Sequence, residues 1–162
     1  MEQLKKAFHT SGKNGFAAAY PIISLDGLRK YHLVFVCDHF KAATLASNVV
    51  NGVEEDFQRE KEEYRENVFG QPSLFPMEIT QKQVFDKKVS DLKQGILRLP
   101  KNKPLKREEL HYELLIQDKR LFGKIGKSHL TQALDELLKA ISPRITSTGT
   151  AGNEESVFTL LE

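Results

Sequence analysis

The strongest constraint on how this chain folds sits at its end. Leu130, Ala133, Leu134, Leu137, Leu138 and Ile141 follow the i, i+3, i+4, i+7 spacing of one buried helix face, which predicts a helix over 127–141. Pro143 comes just beyond it and, lacking a backbone N–H, cannot continue the ladder. Two strand-like runs follow, Arg144 to Thr148 and Ser156 to Leu161, around the turn-forming Gly149-Thr150-Ala151-Gly152-Asn153. A helix that feeds directly into a β-ribbon is a narrow architectural choice.

The segment upstream completes it. Residues 80–97 read as a helix with Val84, Phe85, Val89, Leu92 and Ile96 inward, and Thr80 with Gln83 matches a capping box. Leu99-Pro100-Lys101-Asn102-Lys103-Pro104 is a basic connector with room for a short strand. Residues 106–118 form a second helix with Leu110, Leu114 and Leu115 inward, and Phe122-Gly123-Lys124-Ile125-Gly126 supplies a turn before the third. Three helices and a terminal ribbon are the order of a winged helix-turn-helix, whose third helix and wing face a partner.

The first half has a different texture. Glu2 to Thr10 reads as a short helix and Ser11 to Gly15 as a loop. Residues 17–25 are extended, with Pro21 suggesting an edge strand, and Asp26-Gly27 marks a hairpin turn. Tyr31 to Cys37 is the clearest strand, and its unbroken apolar run after His32 predicts burial on both faces. Asp38 is placed to cap a helix that runs from Lys41 to about Glu66. Gly70-Gln71-Pro72-Ser73-Leu74-Phe75-Pro76 breaks it. The fold class is therefore α+β: an α/β segment of hairpin and long helix over 1–68, a linker over 69–78, and a winged helix-turn-helix over 79–162.

Charge narrows the function classes. The chain carries 24 Lys and Arg against 22 Asp and Glu, yet residues 51–80 hold three basic and eight acidic residues, whereas 81–127 hold thirteen and six. The basic excess precedes the third helix, which suits a polyanion but equally suits a solvated surface. No apolar run is long enough to span a bilayer, and no signal-like N-terminal pattern is present. Cys37 is the single cysteine, so an internal disulfide and a cysteine zinc cluster are excluded and a reducing cytoplasm is expected. Cys37 itself is expected to be buried and inert.

Catalytic signatures are absent. No glycine-rich phosphate loop, His-Glu-x-x-His or Gly-x-Ser-x-Gly occurs. His9, His32, His39, His111 and His129 do not pair at metal-ligand spacing, and His32 and His39 stand at opposite ends of an extended run. No metal and no cofactor are expected. The carboxylates of Glu54-Glu55-Asp56 and 60–66 lie on a face that reads as solvated, where no burial raises a pKa for acid–base work.

The third helix and ribbon therefore supply the candidate contacts. Lys124, Lys127, Ser128, His129 and Gln132 cluster at the start of the helix, where side chains and free backbone N–H groups suit phosphate or base edges. Arg144, Thr146 and Thr148 on the wing reach a backbone or minor groove. Asp135 and Glu136 further along the helix oppose phosphate. DNA or RNA and a protein partner both remain candidates.

The two halves together resemble the C-terminal part of the three-Cys-motif partner proteins of bacteria. The resemblance rests on Tyr31-His32-Leu33-Val34-Phe35-Val36-Cys37-Asp38-His39-Phe40-Lys41, similar to the family's late strand, polar turn and following helix. It rests also on the helix, basic connector, Leu110–Leu115 helix, Leu130–Ile141 helix and ribbon of the second half. It implies a methyltransferase-like remnant followed by a winged-helix domain. The S-adenosylmethionine site of such proteins would lie on earlier strands, and Gly12 and Gly15 do not replace it. The expectation is a non-catalytic protein for nucleic-acid or partner recognition. The alternative is a subunit that completes a split S-adenosylmethionine-dependent methyltransferase-like enzyme, with a protein partner covering the N-terminal segment.

Overall fold

A computed structural model of the 162-residue chain describes residues 15–70 and 77–161. The helix expected over 2–10, most of the 11–15 loop and the centre of the expected 69–78 linker lie outside the described residues.

The fold is a small mixed α+β arrangement of helices and two small antiparallel sheets. Strands β1 (Phe16–Ile23) and β2 (Arg29–Cys37) form a hairpin, with Phe16 opposite Cys37 and Tyr20 opposite Leu33. Its loop is held locally: the Ser24 N–H donates to Leu28 O at 2.9 Å and the Leu28 N–H to the Asp26 carboxylate at 3.2 Å. Helix α1 (Phe40–Phe69) runs 30 residues, about 45 Å at the α-helical rise. His39, not Asp38, caps it: the imidazole Nδ1 accepts from the Lys41 N–H at 3.2 Å. Gly70 closes it in the left-handed region with φ 60°.

Helix α2 (Met77–Ile96) begins before Thr80, so that residue lies within the helix and not at its cap. Strand β3 (Pro104–Lys106) leads directly into α3 (Arg107–Gln117), a 3-10 turn spans Lys119–Leu121, and α4 covers Lys127–Leu138. Strands β4 (Ile145–Ser147) and β5 (Val157–Leu160) close the chain, and the sheet order is β3-β5-β4. Leu105, Ile145, Phe158 and Leu160 turn one face of this sheet inward against Leu92, Leu114, Leu130 and Leu134 of the helices.

The hairpin and α1 share that core. Phe16, Ala18 and Ala43 belong to the same buried cluster, and the Phe16 and Phe35 rings each sit 5.8 Å from Phe122. Close approach is achieved through small residues. The Gly123 N–H donates to Ser47 Oγ at 3.1 Å, and a side chain there would collide with Val50 at 2.4 Å. A Cβ on Gly126 would stand 2.2 Å from Asn51 Oδ1. The turn between α3 and α4 is thus shaped to receive α1.

Four residues expected inside are exposed. Leu33 and Val34 are 46% and 45% exposed, because among the described residues β2 pairs only with β1 and nothing covers its outer half. Val84 is half exposed, since Phe85 and Val89 take the inward positions of α2. Ile141 is wholly exposed because α4 ends at Leu138.

Candidate functional site

The outer face of α4, its preceding turn and the β4–β5 loop form the surface to which the sequence pointed. Ser128 and Gln132 line a shallow groove of about 590 Å³ with Phe85, Thr131, Asp135, Glu136 and Lys139. Lys124 and Arg144 are exposed on either side of the helix in sequence. Thr146 and Thr148 belong to the ribbon itself: Thr148 Oγ1 accepts from the Val157 N–H at 3.1 Å, and the Thr146 hydroxyl lies 3.4 Å from Thr159 O.

His129 does not belong to this surface. Its side chain is 1% exposed, its Nδ1 accepts from the Gly126 N–H at 3.1 Å, and its ring stacks on Phe85 with centroids 4.4 Å apart. Accepting at Nδ1 requires the neutral ring with its proton on Nε2. Burial first, and Lys88 second, lower its pKa to about 4. At the third helical position it takes the place of the Glu or Gln of a capping box, so the helix start itself turns it inward.

Four lysines of the face are already engaged, while Lys124 and Arg144 have no ion pair among the described residues. Lys127 Nζ lies 2.6 Å from Glu154, Lys106 lies 2.7 Å from Glu155, Lys93 lies 2.6 Å from Glu136, and Lys139 pairs with Asp135. Gln132 donates to Glu136 at 3.0 Å. Residues 127–139 contain Lys127 and Lys139 against Asp135 and Glu136, a net charge of zero. Residues 144–157 carry Arg144 against Glu154 and Glu155, a net −1. From α1, Glu55 comes to 4.0 Å from His129 Nε2 and places a further carboxylate beside the first turn of α4.

Beneath this surface lies Arg107, which carries no distinguishing signal in the sequence, because one more Arg in a basic segment reads as a solvated charge. It is 4% exposed, and its guanidinium donates to Ala151 O at 3.0 Å, Lys127 O at 2.8 Å and Thr131 Oγ1 at 2.6 Å. One side chain thereby joins α3, the start of α4 and the ribbon loop. Desolvation lowers its pKa, with Glu154 and Glu108 acting in the opposite sense. The neighbouring His111 is 3% exposed and its pKa falls to about 4, from burial and from the nearby Arg107 and Lys127.

A second surface escaped the sequence reading. Leu45, Val49 and Val53 of α1 are 64%, 58% and 64% exposed. Their four-residue spacing does not stand out in the sequence from the ordinary apolar periodicity of a helix from Lys41 to about Glu66. Tyr31 of β2 is similarly exposed. Cys37, expected to be buried, is half-buried; its thiol donates to His39 O at 3.4 Å and burial raises its pKa.

Among the described residues no group of His, Cys, Asp and Glu is arranged to hold a metal ion, and no helix is long and apolar enough to cross a membrane. No family model, curated protein or solved structure matches the chain.

Proposed function

We propose that this chain is a non-catalytic winged-helix protein that recognises a protein partner rather than DNA or RNA. The helix-turn-helix reading is supported by the succession α2, β3, α3, α4, β4, β5 with strand order β3-β5-β4. The partner reading is carried by one observation: on the outward face of α4 and its ribbon, Lys127, Lys139, Lys93 and Lys106 are each held by a carboxylate, which leaves Lys124 and Arg144 as the cations of that face without an ion pair among the described residues. Nucleic-acid affinity depends on cations free to displace phosphate counterions. Here those four lysines would first have to leave their pairs, and Glu55 repels phosphate from the helix start where it would otherwise settle.

The test is a salt titration with duplex DNA and single-stranded RNA, using wild type, Lys127→Glu and Arg144→Glu. The expected result is no affinity tighter than the non-specific range at physiological salt, unaltered by either change. Tight binding with a steep salt slope that both substitutions weaken overturns the reading.

The exposed apolar strand β2 favours a second reading, a subunit that completes a split S-adenosylmethionine-dependent methyltransferase-like enzyme. Tyr31, Leu33 and Val34 are 65%, 46% and 45% exposed on a strand paired along one edge only among the described residues, and long apolar edges are normally covered. Calorimetry with S-adenosylmethionine, using this chain alone and mixed with the product of the adjacent upstream gene, tests it. Heat of binding in the mixture supports the split enzyme, and none in either sample removes it.

A further inference from the structure

We propose that the outer stripe of α1 docks an amphipathic helix of a partner protein, apolar at one end and basic at the other. This rests on the partner-recognition reading and names the chemistry of the partner.

The stripe follows from helical geometry. At about 100° per residue, Leu45, Val49 and Val53 fall within an arc of about 80°. Asp56, Glu60 and Glu63 fall in the same arc further along, so one exposed stripe about 27 Å long changes from apolar to acidic near its middle. The opposite face of the helix is committed to the fold through Ala43, Ser47, Val50 and Asn51. All six stripe residues are exposed. Asp56 pairs with Arg59 on the same helix, while Glu60 and Glu63 have no ion pair among the described residues.

Two physical arguments select the occupant. Valine at an exposed helical position gives up side-chain freedom and hydration without any return from the fold, so Val49 and Val53 are explained by a contact outside it. The charge gradient then rejects a second copy. A two-fold pairing of α1 with itself along the whole stripe sets Leu45 against Glu60 and Glu63 when the helices run antiparallel, and acid against acid when they run parallel; an antiparallel crossing centred on Val49 joins only Leu45, Val49 and Val53, over about 12 Å, and leaves the acidic half unmatched. A helix with leucine-like residues at four-residue spacing and Lys or Arg beyond them satisfies both halves at once.

The experiment uses the full chain and a fluorescent 18-residue helical peptide with Leu in one half and Lys in the other. A matched peptide with Glu in place of Lys is the comparison. The Lys peptide is expected to bind at least tenfold more tightly than the Glu peptide. Val49→Asp should weaken it at least tenfold, and Glu60→Lys with Glu63→Lys should invert the preference. Circular dichroism checks that these exposed changes leave the fold intact. No binding, equal binding of both peptides, or indifference to the variants overturns the proposal. So does a dimer by light scattering that Val49→Asp disperses, which assigns the stripe to a second copy. Nucleic-acid binding through α4 would remove the broader reading while leaving the peptide result standing. Peptide failure without nucleic-acid binding removes this inference alone.

Discussion

The C-terminal helices with their ribbon and the N-terminal hairpin with α1 share a core, yet they dispose of their surfaces in opposite ways. In the former, the apolar residues of α4 are inside, the outward lysines are matched by carboxylates, and the ribbon loop is tied down by Arg107, Lys127 and Lys106. In the latter, Tyr31, Leu33, Val34, Leu45, Val49 and Val53 face solvent. The contrast teaches that the element resembling a recognition helix is chemically the more satisfied part of the molecule. Unsatisfied surface, where association gains most, lies on the element that resembles a scaffold.

The largest expected effect would break this comparison most directly. Phe158→Ala removes a fully buried ring from the centre of the three-stranded sheet and should cost about 3–5 kcal/mol in denaturant unfolding. If instead the loss is below about 1 kcal/mol, the C-terminal unit is not the well-packed half.

Acid should distinguish the halves next. His111 is buried and neutral, whereas His32 and His39 of the N-terminal half are exposed. Its folded pKa of about 4 lies below the ordinary 6.5, so its contribution is fully present above about pH 6.5 and drains away as pH falls through 4. The loss amounts to something on the order of 3 kcal/mol. Unfolding free energies measured between pH 7 and 4 should fall accordingly, and His111→Leu should remove about half of that fall, the rest belonging to His129, whose pKa is lowered equally.

Arg107→Ala removes the donor of the Ala151 carbonyl and one of the two donors, with the Thr131 hydroxyl, of the Lys127 carbonyl, and should destabilise by about 2–3 kcal/mol. Amide exchange should rise in residues 148–156 and leave the hairpin unchanged; a uniform rise would mean that the ribbon is not separately anchored. The smallest effects belong to exposed positions. Lys127→Ala breaks a surface pair with Glu154 and should cost under about 1 kcal/mol. Val49→Ala should change stability by no more than about 0.5 kcal/mol, and a larger loss would show that Val49 already has an internal partner.

How legible each region was in the sequence follows the same division. The helices and ribbon of residues 80–161 could be read because their apolar residues repeat with one inward side per turn, and Leu110, Leu114, Leu130 and Leu134 lie where that period puts them. Strand β2 misled because an unbroken apolar run has the same appearance whether covered on both faces or on neither. His129 misled because a helical wheel reports angle but not capping: its bond to the Gly126 N–H draws it in. Arg107 carried no local signal at all, since its three acceptors come from residues distant in sequence.

The fit of α1 against the turn at Gly123 and Gly126 has a mechanical consequence. Asn51 abuts Gly126, the residue that immediately precedes α4, while Val49 and Val53 lie on the far side of the same helix. A load applied to that far side is carried across one helix diameter, about 10 Å, into the joint between α3 and α4. With no side chain at either glycine, the long helix seats directly on that joint, and any residue larger than glycine at position 123 or 126 would have to push the two apart.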